Sequence, residues 1–132
     1  MTRMMFVPAV LLAVGLMQGS SNAPTYDAAF VLEQGTYTGT TTFSVDAKGV
    51  VTGTMRLTSP IGVDGTLGGT VKDGVWAVEF PYTIPEQGCG GMVQGTGKVA
   101  EDGARVSGDV TISGSCTEVP LPASFTFVRQ AK

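Results

Sequence analysis

The chain has 132 residues, 19 of them glycine, and no histidine. The length suits one domain; 42% hydrophobic residues is too apolar for a disordered chain, and the glycine content is too high for a helical one. The formal net charge is −3 and the eight Lys and Arg residues are scattered singly, so nucleic acid and anionic membrane surfaces are poor partners.

Residues 1–23 read MTRMMFVPAVLLAVGLMQGSSNA. Arg3 and the terminal amine give a positive start, Met4 to Met17 run apolar without a charge, and Gly19, Ser20, Ser21 and Ala23 follow as small residues. This is the outline of a secretory signal peptide. The apolar run falls short of the roughly 20 residues of a membrane-spanning helix. The expectation is a leader over 1–23 and one exported domain over 24–132, periplasmic or extracellular, with no membrane span after cleavage. Loss of Arg3 leaves seven bases against eleven acids, a net charge of −4. Two cysteines, Cys89 and Cys116, in an exported chain argue for one disulfide.

Beyond the leader the pattern is Thr, Val and Gly with apolar and polar residues alternating. Segment 27–33, DAAFVLE, reads either as a short strand or as a helical turn. Turn signals then recur at DAKG (46–49), SPIGVDG (59–65), KDG (72–74) and EDG (101–103). That is the signature of an all-β meander. Because a strand must bury one face, each hairpin register can be worked out from the numbering. In 35–45 the odd positions Tyr37, Gly39, Thr41, Phe43 and Val45 share a face, as do Val51, Gly53, Met55 and Leu57 in 51–58. A three-residue loop ending in a left-handed Gly49 gives pairs summing to 96, with Phe43 opposite Gly53. A two-residue turn at Asp73–Gly74 gives a sum of 147, with Val71 opposite Trp76, Gly69 opposite Val78 and Leu67 opposite Phe80. The hairpin at Asp102–Gly103 gives 205, with Val99 opposite Val106 and Gly97 opposite Gly108. The same sum places Cys89 opposite Cys116. Opposed residues in an antiparallel pair lie within disulfide reach. The bond closes a loop of roughly 28 residues, worth at most about 3–4 kcal/mol in the chain-entropy account. A last strand, SFTFVRQ, puts Phe125 and Phe127 on one side.

Seven or eight strands joined by tight hairpins must hide their edges. Closure of the up-and-down meander into a small barrel does so, with a two-sheet sandwich as the alternative. On the inner face, Tyr37, Phe43, Met55, Leu67, Trp76, Phe80, Phe125 and Phe127 alternate with glycines at 39, 53, 69, 95, 97 and 108. A barrel of this size is either filled by side chains or holds one small ligand. The glycines serve curvature or leave space, and the two look alike in sequence. If they leave space, Tyr37, Phe43, Met55, Trp76 and Phe80 are the candidate ligand-binding residues, and without a void of roughly 300 Å³, the lower end for ligand pockets, the binding reading fails in that form.

Chemistry is sparsely represented. GCGGMVQGTG (88–97) has the look of a phosphate loop, but strand alternation runs straight through it and no helix pattern follows. Cys89 has no histidine to act as its base, and one cysteine pair without histidine is a poor metal site. No cofactor or metal is expected. Asp46, Asp64, Asp73, Asp102 and Glu101 sit in turns, where acids serve turn geometry. Asp109 and Glu79 project from polar faces, while Glu33, Glu86 and Glu118 lie in or near loops.

The stretch GTYTGTTTFSVDAKGVVTGTM (35–55) resembles the opening hairpin of the avidin-type biotin binders. The shared elements are the Gly-Thr-aromatic start, the turn ending in glycine and the Gly-Thr of the second strand. The resemblance implies a calycin-like meander barrel. It does not carry biotin binding: Tyr37 stands where that family has Trp, Met55 where it has a ligand-binding Tyr, and only Thr40 matches a ligand-binding Ser.

Three readings of function follow. The first is a non-enzymatic, monomeric exported barrel that binds a small apolar molecule inside. The second is a packed envelope or surface module that meets a protein or glycan through its exterior or loops. The third is a hydrolase with a carboxylate at the barrel rim.

Overall fold

The computed structural model describes residues 23–131. Residues 1–22, which carry nearly all of the expected leader, lie outside the described residues. Nine strands follow in order: β1 Thr25–Leu32, β2 Gly35–Val45, β3 Val51–Ser59, β4 Val63–Leu67, β5 Gly69–Lys72, β6 Val75–Ile84, β7 Cys89–Val99, β8 Arg105–Gly114 and β9 Leu121–Arg129. One turn of 3₁₀ helix, Pro85–Gln87, precedes β7. Segment 27–33, which the sequence leaves open between strand and helix, falls almost entirely in β1, with Tyr26, Ala28 and Phe30 facing inward.

Each strand except β5 pairs antiparallel with the one before it, β6 pairs with both β5 and β4, and β9 returns to β1, with Phe125 opposite Phe30. The sheet closes where Asp64 and Gly65 of β4 meet Thr83 and Tyr82 of β6. The result is a closed up-and-down barrel of eight staves. β5 is a short ninth strand that continues β4 past a bend, and the sandwich alternative is not formed. Among the described residues no helix is long and apolar enough to cross a membrane.

The registers are those the turns dictate. Phe43 lies opposite Gly53 and Val45 opposite Val51. Val71 faces Trp76 across a turn whose Asp73 and Gly74 both have positive φ, 55° and 78°, the type I′ conformation that the strand twist favours. Gly97 lies opposite Gly108 and Val93 opposite Ile112. The third hairpin keeps its sum but closes through a longer loop, with the Ala100 N–H donating to Arg105 O.

One expected pair does not form. Leu67 pairs with Gly53 of β3, and on the β6 side the ladder opens between Gly65 and Gly69. The Trp76 indole N–H donates to Gly68 O at 2.9 Å and takes that carbonyl for itself. Gly69 bends the chain at φ 100°, and Pro81, facing this stretch, has no N–H to offer.

The interior is a stack of aromatic rings. Tyr26 and Phe43 lie 4.7 Å apart, Phe43 and Trp76 6.0 Å, Trp76 and Phe127 6.0 Å, and Phe127 and Phe125 5.1 Å between centroids. Phe30 completes the series, 5.7 Å from Phe125. The inward glycines serve curvature more than space. A Cβ on Gly39, Gly53, Gly95 or Gly108 would run into the backbone of the neighbouring strand. On Gly97 it would come within 2.8 Å of Phe125 Cζ, so the ring already fills that room.

Candidate ligand-binding cavity

The two ends of the barrel are built differently. One carries the turns at 46–50, 73–74 and 100–104 together with the chain ends. There the Tyr26 hydroxyl donates to Gly103 O at 2.7 Å, and the Arg129 guanidinium lies 5.8 Å from the Tyr26 ring centre. The Gln130 N–H donates to Thr25 O and the Val71 N–H to Gly49 O. This end is shut.

The other end carries the loops at 33–34, 60–62, 85–88 and 115–120. A cavity of about 150 Å³ opens between them. Alternation in β3 and β7 brings Leu57 and Val93 inward as walls, and Phe30, whose far side leans on Phe125, belongs to its floor. Tyr37 and Tyr82 also line it. Gln34, Gln87 and Thr117 stand at the rim, and no charged residue lines the space. The Tyr82 hydroxyl donates to Ser113 O at 3.2 Å, and burial pushes its phenol above the ordinary value of 10.0.

The Cys89–Cys116 disulfide forms, with Cα atoms 5.2 Å apart, and ties the start of β7 to the loop after β8. Cys116 is part of the cavity wall. GCGGMVQGTG is thus the beginning of a barrel strand, as its alternation implies. Gly90, Gly91 and Gly114 beside the bond have no room for a Cβ, because Tyr82 O, Ser113 O and Gly90 O respectively occupy the place.

Of the five ligand-binding candidates, the structure brings Tyr37 and Met55 to the cavity. Phe43 and Trp76 stand in the aromatic stack nearer the shut end, and Phe80 is buried against Gly65, away from the opening. Sequence reasoning missed Phe30, because the strand that carries it was ambiguous. Tyr82 shares the inward face of β6 with Trp76 and Phe80 and stands at the open end. The discriminating signal is position along the strand: inward residues one to five places from the loops at 33–34, 60–62, 85–88 and 115–120 line the space.

The acids hold turns and pairs. Asp46 Oδ1 accepts from the Lys48 and Val50 N–H groups, at 2.8 and 2.9 Å, and Asp102 Oδ1 accepts from the Ala104 N–H at 2.9 Å. Asp64 pairs with Arg56 at 3.2 Å, and Asp27 Oδ1 accepts from Gln130 Nε2 at 2.8 Å.

No protein-family profile matches the chain, and no curated protein matches its sequence. Solved structures do share its architecture. A redesigned β-barrel, mFAP1, bound to DFHBI, is 16% identical with a TM-score of 0.56, over 86% of this chain and 100% of that one. EF1p2_mFAP2b bound to DFHBI is 16% identical with a TM-score of 0.58, over 86% of this chain and 99% of the other. At that identity the likeness is one of fold, and the chain is a small antiparallel β-barrel.

Proposed function

We propose that the protein is a non-enzymatic binding module that takes a small molecule into the open end of the barrel. The observation that carries this reading is the apolar cavity between the 33–34, 85–88 and 115–120 loops, at the end of the barrel away from the aromatic stack. Its volume, about 150 Å³, is half the roughly 300 Å³ of an ordinary ligand pocket. The ligand is correspondingly small: a dry cavity of about 150 Å³ holds one benzene ring. Both barrels of similar fold are bound to DFHBI, which accords with a barrel of this kind as a binder of a small molecule. A disulfide persists in oxidising compartments, in keeping with export.

The test is an amide and methyl NMR titration with single-ring compounds. Shift changes are expected at Leu57, Val93 and Ile112 and not at Phe43 or Trp76. Filling the space by Val93→Phe abolishes them. If no compound perturbs the open end, or if Val93→Phe binds as well as the parent, the reading is wrong.

A further inference from the structure

The cavity wall is uncharged, but its surroundings are not. Each of three loops at the mouth carries one glutamate next to a residue that lines the space: Glu33 beside Gln34, Glu86 beside Gln87 and Glu118 beside Thr117. All three are exposed, and none of the mouth loops contains a lysine or arginine. The bases collect elsewhere. Lys48, Lys72, Lys98, Arg105 and Arg129 belong to the shut end, while Arg56 projects outward from β3 and is paired with Asp64. Among the described residues the open end is therefore negative, while five of the six bases lie at the opposite end, beside Asp46, Asp73, Glu101 and Asp102. Charge of one sign around a low-dielectric recess focuses the field into it and concentrates ions of the opposite sign.

The aromatic surface agrees with that sign. Tyr37, half-buried, is an aromatic among the lining residues, and a tyrosine ring attracts a cation that sits over its face within about 6 Å of its centre. An anion gains nothing here: it would sit among three carboxylates and against ring faces of negative potential. A charge drawn fully inside is opposed by the apolar wall, so the head of the ligand has to stay at the rim.

We infer that the cavity takes a small organic cation, an ammonium group on a single ring or short apolar body, with the body inside and the head among Glu33, Glu86 and Glu118. This rests on the binding reading above and names the ligand class for the same site.

Three compounds of near-equal size separate the two: toluene, benzylamine as its cation and benzoate. Affinities are measured by NMR titration on the disulfide-intact protein at 20 mM and 200 mM salt. At low salt benzylamine is expected to bind about tenfold more tightly than benzoate, the size of effect that three exposed charges give together. The preference shrinks at high salt, where screening shortens the reach of the carboxylates to under about 10 Å. The triple variant Glu33→Gln, Glu86→Gln, Glu118→Gln loses the preference while its toluene affinity stays the same. Benzoate binding as tightly as benzylamine, or a preference that survives in the triple variant, overturns the inference and leaves the cavity reading standing. Failure of all three compounds, toluene included, removes both.

Discussion

The two ends of this barrel are made from the same strands and the same alternation, yet one is solid and the other holds a void. At the shut end Tyr26, Phe43, Trp76 and Phe127 fill the cross-section ring against ring, and each polar atom they bury has a partner: the Tyr26 hydroxyl on Gly103 O, the Trp76 indole N–H on Gly68 O. At the open end Leu32, Ile84, Ile112 and Leu121 are aliphatic and half-buried, and the inward residues stop short of meeting. A covalent bond, Cys89–Cys116, stands where ring packing is lacking. Stability and binding capacity are thus laid out along one axis, and changes at the two ends should differ in kind.

The largest effect is expected from Phe127→Ala. Its ring is fully buried and touches Phe30, Phe43, Trp76 and Phe125, so truncation should cost about 3–5 kcal/mol. The corresponding change at the open end, Leu121→Ala, removes a half-buried side chain beside an existing void and should cost about 1 kcal/mol. Urea unfolding of both variants decides it. Equal costs would end the contrast between the two ends.

Next comes the disulfide. Cys89→Ser with Cys116→Ser should cost about 2–3 kcal/mol, under the full chain-entropy value because the β7–β8 ladder already constrains the loop. The loss should be local in hydrogen exchange, fastest at 115–120 and absent from β1 and β9. Uniform acceleration across the barrel would show that the bond supports the whole fold.

The smallest effect concerns Tyr82. Its folded-state value lies above 10.0, so the folded protein holds the phenol proton more tightly than the unfolded chain does. The stability tied to that proton is complete below pH 10 and falls as the pH rises through the raised value. Tyr82→Phe should cost about 1 kcal/mol at pH 8, for the lost bond to Ser113 O, and should blunt the alkaline decline. Unfolding midpoints between pH 8 and 11 check both parts, and a variant as alkali-sensitive as the parent refutes the assignment.

Much of the cylinder was legible in the sequence because turn chemistry and alternation constrain register twice over. Asp73–Gly74 admits a two-residue turn, and inward Val71 and Trp76 then have only one way to meet. The cysteine pairing followed from the same register. Segment 27–33 was not legible, since alanines and a mixed apolar run suit strand or helix alike, and only its place between β2 and β9 decides. The break between β4 and β5 depends on an indole reaching a carbonyl eight residues away, which no local pattern announces. The cavity was half legible. Tyr37 and Met55 were found by facing inward, but which end stays open depends on where the large rings stack, a property of all eight staves together.

The first and last strands lie side by side, Gln130 bound to Thr25, at the end of the barrel opposite the opening. The described chain therefore enters and leaves the barrel at the shut end, as a handle meets a cup. The topology has no privileged starting stave. A chain re-joined from 130 to 25 and cut at 33–34 would trace the same ring of neighbours, carrying its new ends around the mouth instead of beneath it.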